Sequence, residues 1–280
     1  MQLFRNVFTA TTLTLLLGVL APPGWAQEFR ILVTNDDGIN SPQLAALAAA
    51  LAELPNVEVL ISAPAENQSG SSHASVGEEL VVETVQENGE TFGYAVHGRP
   101  ADAVRWGIFV LGSERPIDLV VSGINQGANV GDVAHLSGTV GAAMEALYQG
   151  LPAIAVSQDT SGVDNQASAR FAANLVQRLR NSGFPEDVVI SVNIPRGEIQ
   201  GVAVRRMGES YLSIASYDLQ SEEPGRQVYR RNRTLHQATD TRTDTWAWQH
   251  GYITITPLKF DWTDYEYLSD LLSWDWELTR

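Results

Sequence analysis

The chain has 280 residues, no cysteine and a formal net charge of −15 at pH 7. A surface this acidic repels the phosphates of duplex nucleic acid, which argues against a nucleic-acid-binding function. Without cysteine the chain forms neither disulfides nor thiolate metal sites, so its stability must come from an ordinary hydrophobic core.

The first 26 residues have the pattern of a secretory signal peptide. Arg5 precedes an apolar stretch over 7–20, and small residues and prolines follow at 21–26. The apolar stretch is too short to span a bilayer comfortably, and a suitable cleavage position follows Ala26. We expect a secreted, periplasmic protein with no membrane segment in its mature form; an uncleaved membrane anchor is the alternative interpretation.

Strands and helices alternate through the first two thirds of the remaining chain. In chain order, the pattern predicts a strand over 29–34, a helix over 42–54, a strand over 57–62, a hairpin of strands over 80–85 and 92–96, a helix over 100–110, a strand over 117–122, a helix over 139–148, a strand over 153–157, a helix over 167–180 and a strand over 188–192. The hairpin prediction rests on Asn88-Gly89, which suits a tight turn. Such alternation implies a mainly parallel sheet covered by helices on both faces, so we expect a three-layer α/β core over 27–195.

The character of the sequence changes after Pro195. Residues 196–245 are rich in polar side chains, and a clear strand pattern returns at 252–257. We interpret 196–256 as β-hairpin extensions and the last 20 residues as a short amphipathic helix. Five aromatic residues concentrate in this tail, which favours packing on the core or on a partner subunit: Trp262, Tyr265, Tyr267, Trp274 and Trp276.

The most informative motif is Asn35-Asp36-Asp37-Gly38, which directly follows the first apolar strand. Adjacent carboxylates repel each other unless water or a cation neutralises them. A hard divalent cation with oxygen ligands is the natural candidate. The alternative is a simple polar turn before the helix at Pro42, because Asn, Asp and Gly are common turn residues.

Two further polar loops follow apolar strands of the same predicted sheet, at 63–73 and 123–132. Ligands bind outside the carboxyl ends of parallel strands, so the three loops should meet in one crevice. His73 lies in the second loop and His135 follows the third. Each has either a direct role in the site or the usual role of a surface hydrogen-bond partner.

The third loop leads into Ser137-Gly138-Thr139, which opens a predicted helix. The serine serves either as a helix cap alone or, with Thr139 and the free backbone amides, as part of a phosphate site. The glycines at 123, 127, 131, 138 and 141 favour the second interpretation, because they permit close backbone approach to a ligand. The sequence has neither the nucleoside triphosphate loop nor the dinucleotide-binding motif, which argues against those chemistries.

This ordered set of motifs resembles the survival protein SurE family of metal-dependent 5'/3'-nucleotidases. The matching segments are Asn-Asp-Asp-Gly at 35–38, Ala-Pro-x-x-Asn-x-Ser-Gly at 63–70, Val-Ser-Gly-Ile-Asn-x-Gly-x-Asn-x-Gly-Asp at 121–132, Ser-Gly-Thr-Val at 137–140, Ala-Ala-Met-Glu at 142–145 and Gly-Tyr-Ile-Thr-Ile-Thr-Pro-Leu at 251–258. The resemblance runs from residue 29 to about residue 260. Where the family usually has Thr, Asp and Tyr, this chain has Arg99, Val133 and Leu136.

The resemblance implies one divalent cation per subunit, Mg²⁺ or Mn²⁺, held by Asp36, Asp37, Ser69 and Asn125. Asn67 and the segment Ser137, Gly138 and Thr139 would bind the phosphate, and either aspartate would orient or deprotonate the attacking water. The resemblance further implies a Rossmann-like core over 27–195. The extension over 196–280 would be an oligomerisation element of a homodimer or homotetramer, packing on the core and exchanged between subunits.

We therefore expect a phosphomonoesterase that hydrolyses nucleoside 5'- and 3'-monophosphates. Two alternatives stay open at this point. A noncatalytic periplasmic nucleotide- or phosphate-binding protein would keep the same loops without needing an activated water. A structural protein assembled through its C-terminal arms would depend on the oligomer and not on the loops.

Overall fold

The computed structural model describes residues 28–274 and Trp276, so the predicted signal peptide lies outside the described residues. The strands are β1 (Phe29–Thr34), β2 (Val57–Pro64), β3 (Val82–Glu87), β4 (Glu90–Val96), β5 (Leu119–Gln126), β6 (Ala153–Gln158), β7 (Val188–Ile194), β8 (Gly201–Val204), β9 (Leu212–Glu223), β10 (Arg226–Leu235) and β11 (Tyr252–Lys259). The helices are α1 (Pro42–Ala52), α2 (Pro100–Trp106), α3 (Gly138–Tyr148), α4 (Asn165–Ser182), α5 (Asp244–Gln249) and α6 (Tyr265–Leu272). None of the helices in this part of the chain has the length and apolar character needed to cross a membrane.

Nine strands of the described residues form one sheet in the order β3-β4-β2-β1-β5-β6-β7-β11-β8. The six strands from β4 to β7 in this order are parallel, whereas β3 and β11 run antiparallel to their neighbours β4 and β7. The predicted three-layer α/β fold with a mainly parallel sheet is confirmed. β2 lies on one side of β1 and β5 lies on the other. The strand order therefore reverses between β1 and β5, and sheets of this kind bind ligands at the point of reversal.

Helices cover both faces of this sheet because the central strands are apolar on both faces. Ile31 and Val33 of β1 belong to the core under α1 and α4, whereas Leu32 packs on the opposite face under α2 and α3. All three side chains are completely buried. A continuous apolar run is the pattern expected of a parallel strand buried on both sides.

The C-terminal third differs in detail from the prediction. β8 and β11 extend the main sheet, while β9 and β10 form a separate two-stranded hairpin. The stretch interpreted as hairpins also contains the short helix α5, which Thr243 caps by accepting a hydrogen bond from the backbone N–H of Trp246. Six residues are too few to show a helical hydrophobic period, so this helix was not predicted. α6 confirms the helix predicted in the tail.

A buried carboxylate joins α2, α3 and the loop after β2. Glu145 on α3 is 1% exposed, and Arg105 of α2 donates to both of its oxygens at 3.0 Å. His73 of the loop lies 2.7 Å from the same carboxylate. Burial raises the pKa of Glu145, but hydrogen bonds from His73, Arg105 and Gln149 outweigh burial and lower the pKa to about 2. This cluster therefore fixes the second loop against α3, the helix that begins at Gly138.

We expect Glu145→Gln to lower the free energy of unfolding by about 2–3 kcal/mol at pH 7, because one carboxylate oxygen becomes an NH₂ group facing donors. A carboxyl whose pKa is depressed on folding stabilises the protein above its unfolded pKa of 4.5, and this stabilisation is lost as the pH falls toward 2. The difference between variant and parent should therefore narrow from pH 5 to pH 3. Urea unfolding at pH 5 and pH 3 measures the free energy of unfolding of both proteins. If the difference between them is the same at the two pH values, the depressed pKa of Glu145 is contradicted.

Candidate metal and phosphate site

The two aspartates lie in a tight turn at the carboxyl end of β1. The Asn35 side chain closes this turn: its amide donates to the Gly38 carbonyl at 2.9 Å and its oxygen accepts from the Gly38 N–H at 3.1 Å. Gly38 has a φ of 103°, which favours glycine. The turn thus aims Asp36 into the protein, where it is 2% exposed, and leaves Asp37 half-buried.

Asp36 is packed against the start of α3. The Thr139 hydroxyl donates to its carboxylate at 2.5 Å, and the Gln68 backbone N–H donates to its carbonyl at 2.7 Å. A Cβ atom on Gly138 would lie 2.8 Å from the Cβ of Asp36 and 2.7 Å from the Ser71 hydroxyl. Only glycine therefore lets the helix approach the carboxylate this closely.

The pKa of Asp36 reflects this packing. Burial raises it from an ordinary 3.8 to about 6, the hydrogen bond from Thr139 offsets part of the rise, and the charge of Asp37 adds to it. Holding Asp36 ionised at neutral pH therefore costs folding free energy in the absence of a cation.

Asp37 connects β1 with the two other loops. One of its oxygens accepts from the Asn67 amide at 3.0 Å, and the other accepts from the Gln126 backbone N–H at 3.0 Å. Asn67 in turn accepts from the backbone N–H of Ser69 at 3.0 Å. The structure thus brings the first, second and third loops together at one edge of the sheet.

Asn125 and Ser137 complete this edge. Asn125, which is 8% exposed, lies on β5 because this strand continues to Gln126 and does not end at 122 as predicted. Its amide donates to the Gly127 carbonyl at 2.6 Å. Ser137 is the N-cap of α3, and its hydroxyl accepts from the Val140 N–H at 3.1 Å. The cap leaves the amides at the helix start available to an anion.

The donor set suits a hard divalent cation. Within residues 28–274, no Lys, Arg or His forms an ion pair with Asp36 or Asp37, so the two charges have no counter-charge from a side chain. The same part of the chain contains no group of three His, Cys, Asp or Glu side chains able to hold a metal. Any ion held by the two carboxylates would therefore take its remaining ligands from neutral oxygens or water, and Ser69 and Asn125 stay the predicted protein ligands. Mg²⁺ is commonly bound by one or two carboxylates plus waters and substrate phosphate.

Three features of the site were not predicted. Gln126 contributes a backbone amide to Asp37, Ser71 has a buried hydroxyl with no partner among the described residues, and Glu145 holds His73. His135 packs edge-on against Trp262 with ring centroids 5.4 Å apart. The Gln126 contact could not be predicted, because a backbone donor does not depend on the type of residue. Ser71 could have been predicted, because it follows Ser69 in a serine-rich loop.

We expect Asp36→Asn to remove a pH-dependent cost in the metal-free protein. A carboxyl whose pKa is raised on folding stabilises the fold at low pH, and this stabilisation is lost as the pH rises through about 6. Between pH 5 and pH 8 the parent should lose about 1–1.5 kcal/mol relative to the variant. Urea unfolding in EDTA gives the free energy of unfolding of parent and variant at both pH values. If the two proteins change equally between pH 5 and pH 8, the stated environment of Asp36 is contradicted.

Comparison with known proteins agrees with this geometry. The family model described as survival protein SurE matches residues 31–213. The 5'-nucleotidase SurE of Thermoanaerobacter sp. is 36% identical over 88% of this chain and 98% of its own length, and that of Syntrophobacter fumaroxidans is 38% identical over 88% and 99%. The crystal structure of the SurE protein from Aquifex aeolicus matches with a TM-score of 0.75 at 34% identity, covering 86% of this chain and 98% of that chain. The chain belongs to the SurE family of survival proteins.

Proposed function

We propose that this protein is a nucleotidase that hydrolyses nucleoside 5'- and 3'-monophosphates with the help of one divalent cation per subunit, Mg²⁺ or Mn²⁺. The observation that carries the proposal is the pair Asp36 and Asp37, two carboxylates without a cationic side-chain partner among the described residues, packed against a helix start. The two relatives from Thermoanaerobacter sp. and Syntrophobacter fumaroxidans carry the name 5'-nucleotidase SurE.

The carboxylates and the backbone amides of the site would bind different partners. Asp36, Asp37, Ser69 and Asn125 would hold the cation, which supplies Lewis-acid polarisation of the phosphoryl group when bound. The amide of Gly138 offers a donor to phosphoryl oxygens, whereas the Thr139 amide is directed at the Asp36 carboxylate. The N-terminus of α3 favours negative charge there.

The two carboxylates would orient and deprotonate the attacking water. Asp37 is half-buried and already receives two hydrogen bonds, so it is placed to orient the attacking water. Asp36, which lies in the same turn, is the alternative group to orient or deprotonate that water. The hydrogen bond from the Thr139 hydroxyl would hold the Asp36 carboxylate in a fixed orientation.

The expected destination of the protein is the periplasm. The sequence of residues 1–26 supports export, and the absence of cysteine suits an oxidising compartment. Substrates would then be nucleotides outside the cytoplasm.

The extension over 196–280 is proposed to join subunits into a homodimer or homotetramer, with its arms exchanged between them. Exposed apolar side chains on the β9–β10 hairpin support this proposal, among them Tyr217, Leu219 and Tyr229. α6 has no buried residue within the described chain and exposes Tyr265 and Leu272. Apolar faces of this kind are typical of protein interfaces.

We expect purified protein to release phosphate from AMP, to lose this activity in EDTA and to regain it with Mg²⁺ or Mn²⁺. Asp36→Asn and Asp37→Asn should each lower kcat at least about 100-fold, because both remove charge from the cation site. Glu66→Gln is the matched control, since Glu66 is an exposed carboxylate in the neighbouring loop. Release that does not depend on metal, or no release with any divalent ion, would contradict the proposal.

Leu219→Glu should reduce the assembly size of the protein, because it places a charge on the exposed apolar face of β9. Ser216→Glu is the control: it adds the same charge at an exposed position of the same strand that pairs with Asn232 and so faces the side opposite Tyr217 and Leu219. Light scattering gives the mass of each variant. A monomeric parent, or equal dissociation by both changes, would count against the hairpin as the interface.

A further inference from the structure

A buried carboxylate in the C-terminal extension reaches the third loop of the candidate site. Asp244 begins α5 and is 2% exposed, and no Lys, Arg or His in the described part of the chain forms an ion pair with it. Its oxygens accept from the backbone N–H groups of Gly131 at 3.1 Å, Gly208 at 2.8 Å and Thr245 at 2.7 Å, and from the Thr256 hydroxyl at 3.3 Å. The contact with Gly131 joins residues 113 positions apart in the chain.

The backbone at Gly131 also packs directly on the C-terminal extension. A Cβ atom on Gly131 would lie 2.3 Å from the Glu209 carbonyl oxygen and 2.6 Å from the Thr245 hydroxyl. That hydroxyl in turn donates to the Glu209 carbonyl at 2.7 Å. Gly131 has a φ of 60°, a conformation that favours glycine. The third loop is therefore held both by a charged acceptor and by a close backbone contact.

Gly131 lies midway between the metal side and the phosphate side of the candidate site. It follows Asn125 by six residues and precedes Ser137 by six. A 3-10 helix over Gly131–Leu136 connects it with α3, and Ser137 both ends this short helix and caps α3. A displacement of Gly131 would therefore move Ser137 and the amide of Gly138.

We propose that Asp244 is a positioning residue of the phosphate site. From the C-terminal extension it fixes Gly131, and through the 3-10 helix it sets where the start of α3 lies. The inference rests on the proposed function and deepens it, because it gives the extension a part in catalysis beyond the assembly of subunits. Hydrogen-bond donors stabilise a transition state only when they are held in place, so a displacement of about 1 Å can cost about 100-fold in rate.

The cation site should depend much less on Asp244. Asp36 and Asp37 directly follow β1, and Asn125 lies within β5, where it pairs with Ser157 of β6. Contacts within the sheet therefore hold these predicted ligands. Loss of the Asp244 contact should weaken phosphate binding and leave cation binding unchanged, a combination that a general loss of structure would not produce.

Hydrogen exchange in the parent protein tests the contact without any substitution. The Gly131 amide should exchange at least about 100-fold more slowly than a solvent-exposed amide, because it donates to a buried carboxylate. NMR resolves the exchange of this single amide. If Gly131 exchanges at the rate of a solvent-exposed amide, the proposal is overturned.

Asp244→Asn should break the contact with Gly131 selectively. The amide oxygen can keep the N–H donors of Gly208 and Thr245, which places the new NH₂ group against the Gly131 N–H. In the folded, Mn²⁺-loaded variant, kcat/KM for AMP should fall at least about tenfold, and the inhibition constant of inorganic phosphate should rise by a similar factor. The Kd of Mn²⁺ in calorimetry should change by less than about twofold, because the two sites are held by different contacts.

Asp240→Asn is the matched control, because Asp240 is a carboxylate of the same extension that accepts from Arg206 and Arg242. Weaker phosphate binding in Asp244→Asn alone, with Mn²⁺ binding retained, supports the proposal. Unchanged kcat/KM in the folded variant, a matching loss of Mn²⁺ affinity, or the same loss in Asp240→Asn overturns it.

Gly131→Ala disturbs the same contact from the side of the loop, since its methyl group would meet the Glu209 carbonyl. It should reproduce the weaker phosphate binding of Asp244→Asn. Gly225→Ala is its control: Gly225 has a φ of 77°, but no described atom lies within 4 Å of an added Cβ. Phosphate binding equal to that of the parent in a folded Gly131→Ala variant contradicts the proposal.

The two proposals can fail separately. If the parent hydrolyses no nucleotide with any divalent ion, the nucleotidase proposal fails, while exchange of the Gly131 amide and binding of inorganic phosphate still decide the role of Asp244. If the parent hydrolyses AMP and the Asp244→Asn variant does so equally well, the nucleotidase proposal stands and the role of Asp244 is overturned.

Discussion

The structure of the site depends on the contact between Asp36 and the start of α3. A strand that ends in a buried carboxylate is brought against a helix through the Thr139 hydroxyl and the bare backbone of Gly138. The contact places a negative charge beside a positive helix terminus, which compensates only part of its burial. The part of the burial cost that is not compensated raises the pKa of Asp36. A bound cation would remove this cost. Stability and function are therefore opposed at this residue.

The same contact explains how an acidic protein can handle an acidic substrate. The chain carries a net charge of −15, so its overall field repels a nucleotide. Attraction must be local: the site offers the amides at the start of α3, and the proposed cation on the two aspartates would add positive charge beside them. Arg99 adds one positive side chain near the second loop, where its guanidinium donates to Gln68. The amides, the proposed cation and Arg99 would each attract the substrate only over a few ångströms.

Much of the core was predictable because its signals are local. The apolar run of β1, the turn residues Asn35 and Gly38, and the cap at Ser137 are each visible in the sequence, and the order of strands and helices brings their loops to one edge. The contacts that depend on tertiary packing were not visible. The Gln126 amide on Asp37 and the Glu145 cluster join residues far apart in the chain, and no residue pattern encodes such pairs.

The central claim is that Asp36 and Asp37 share one cation with neutral oxygens from the second and third loops. Anomalous diffraction from crystals of the Mn²⁺-loaded protein tests it directly. The account predicts one strong peak per chain, within about 2.5 Å of both carboxylates and beside Ser69 and Asn125. A map with no peak between the two aspartates, or with the ion bound elsewhere in the chain, would contradict it.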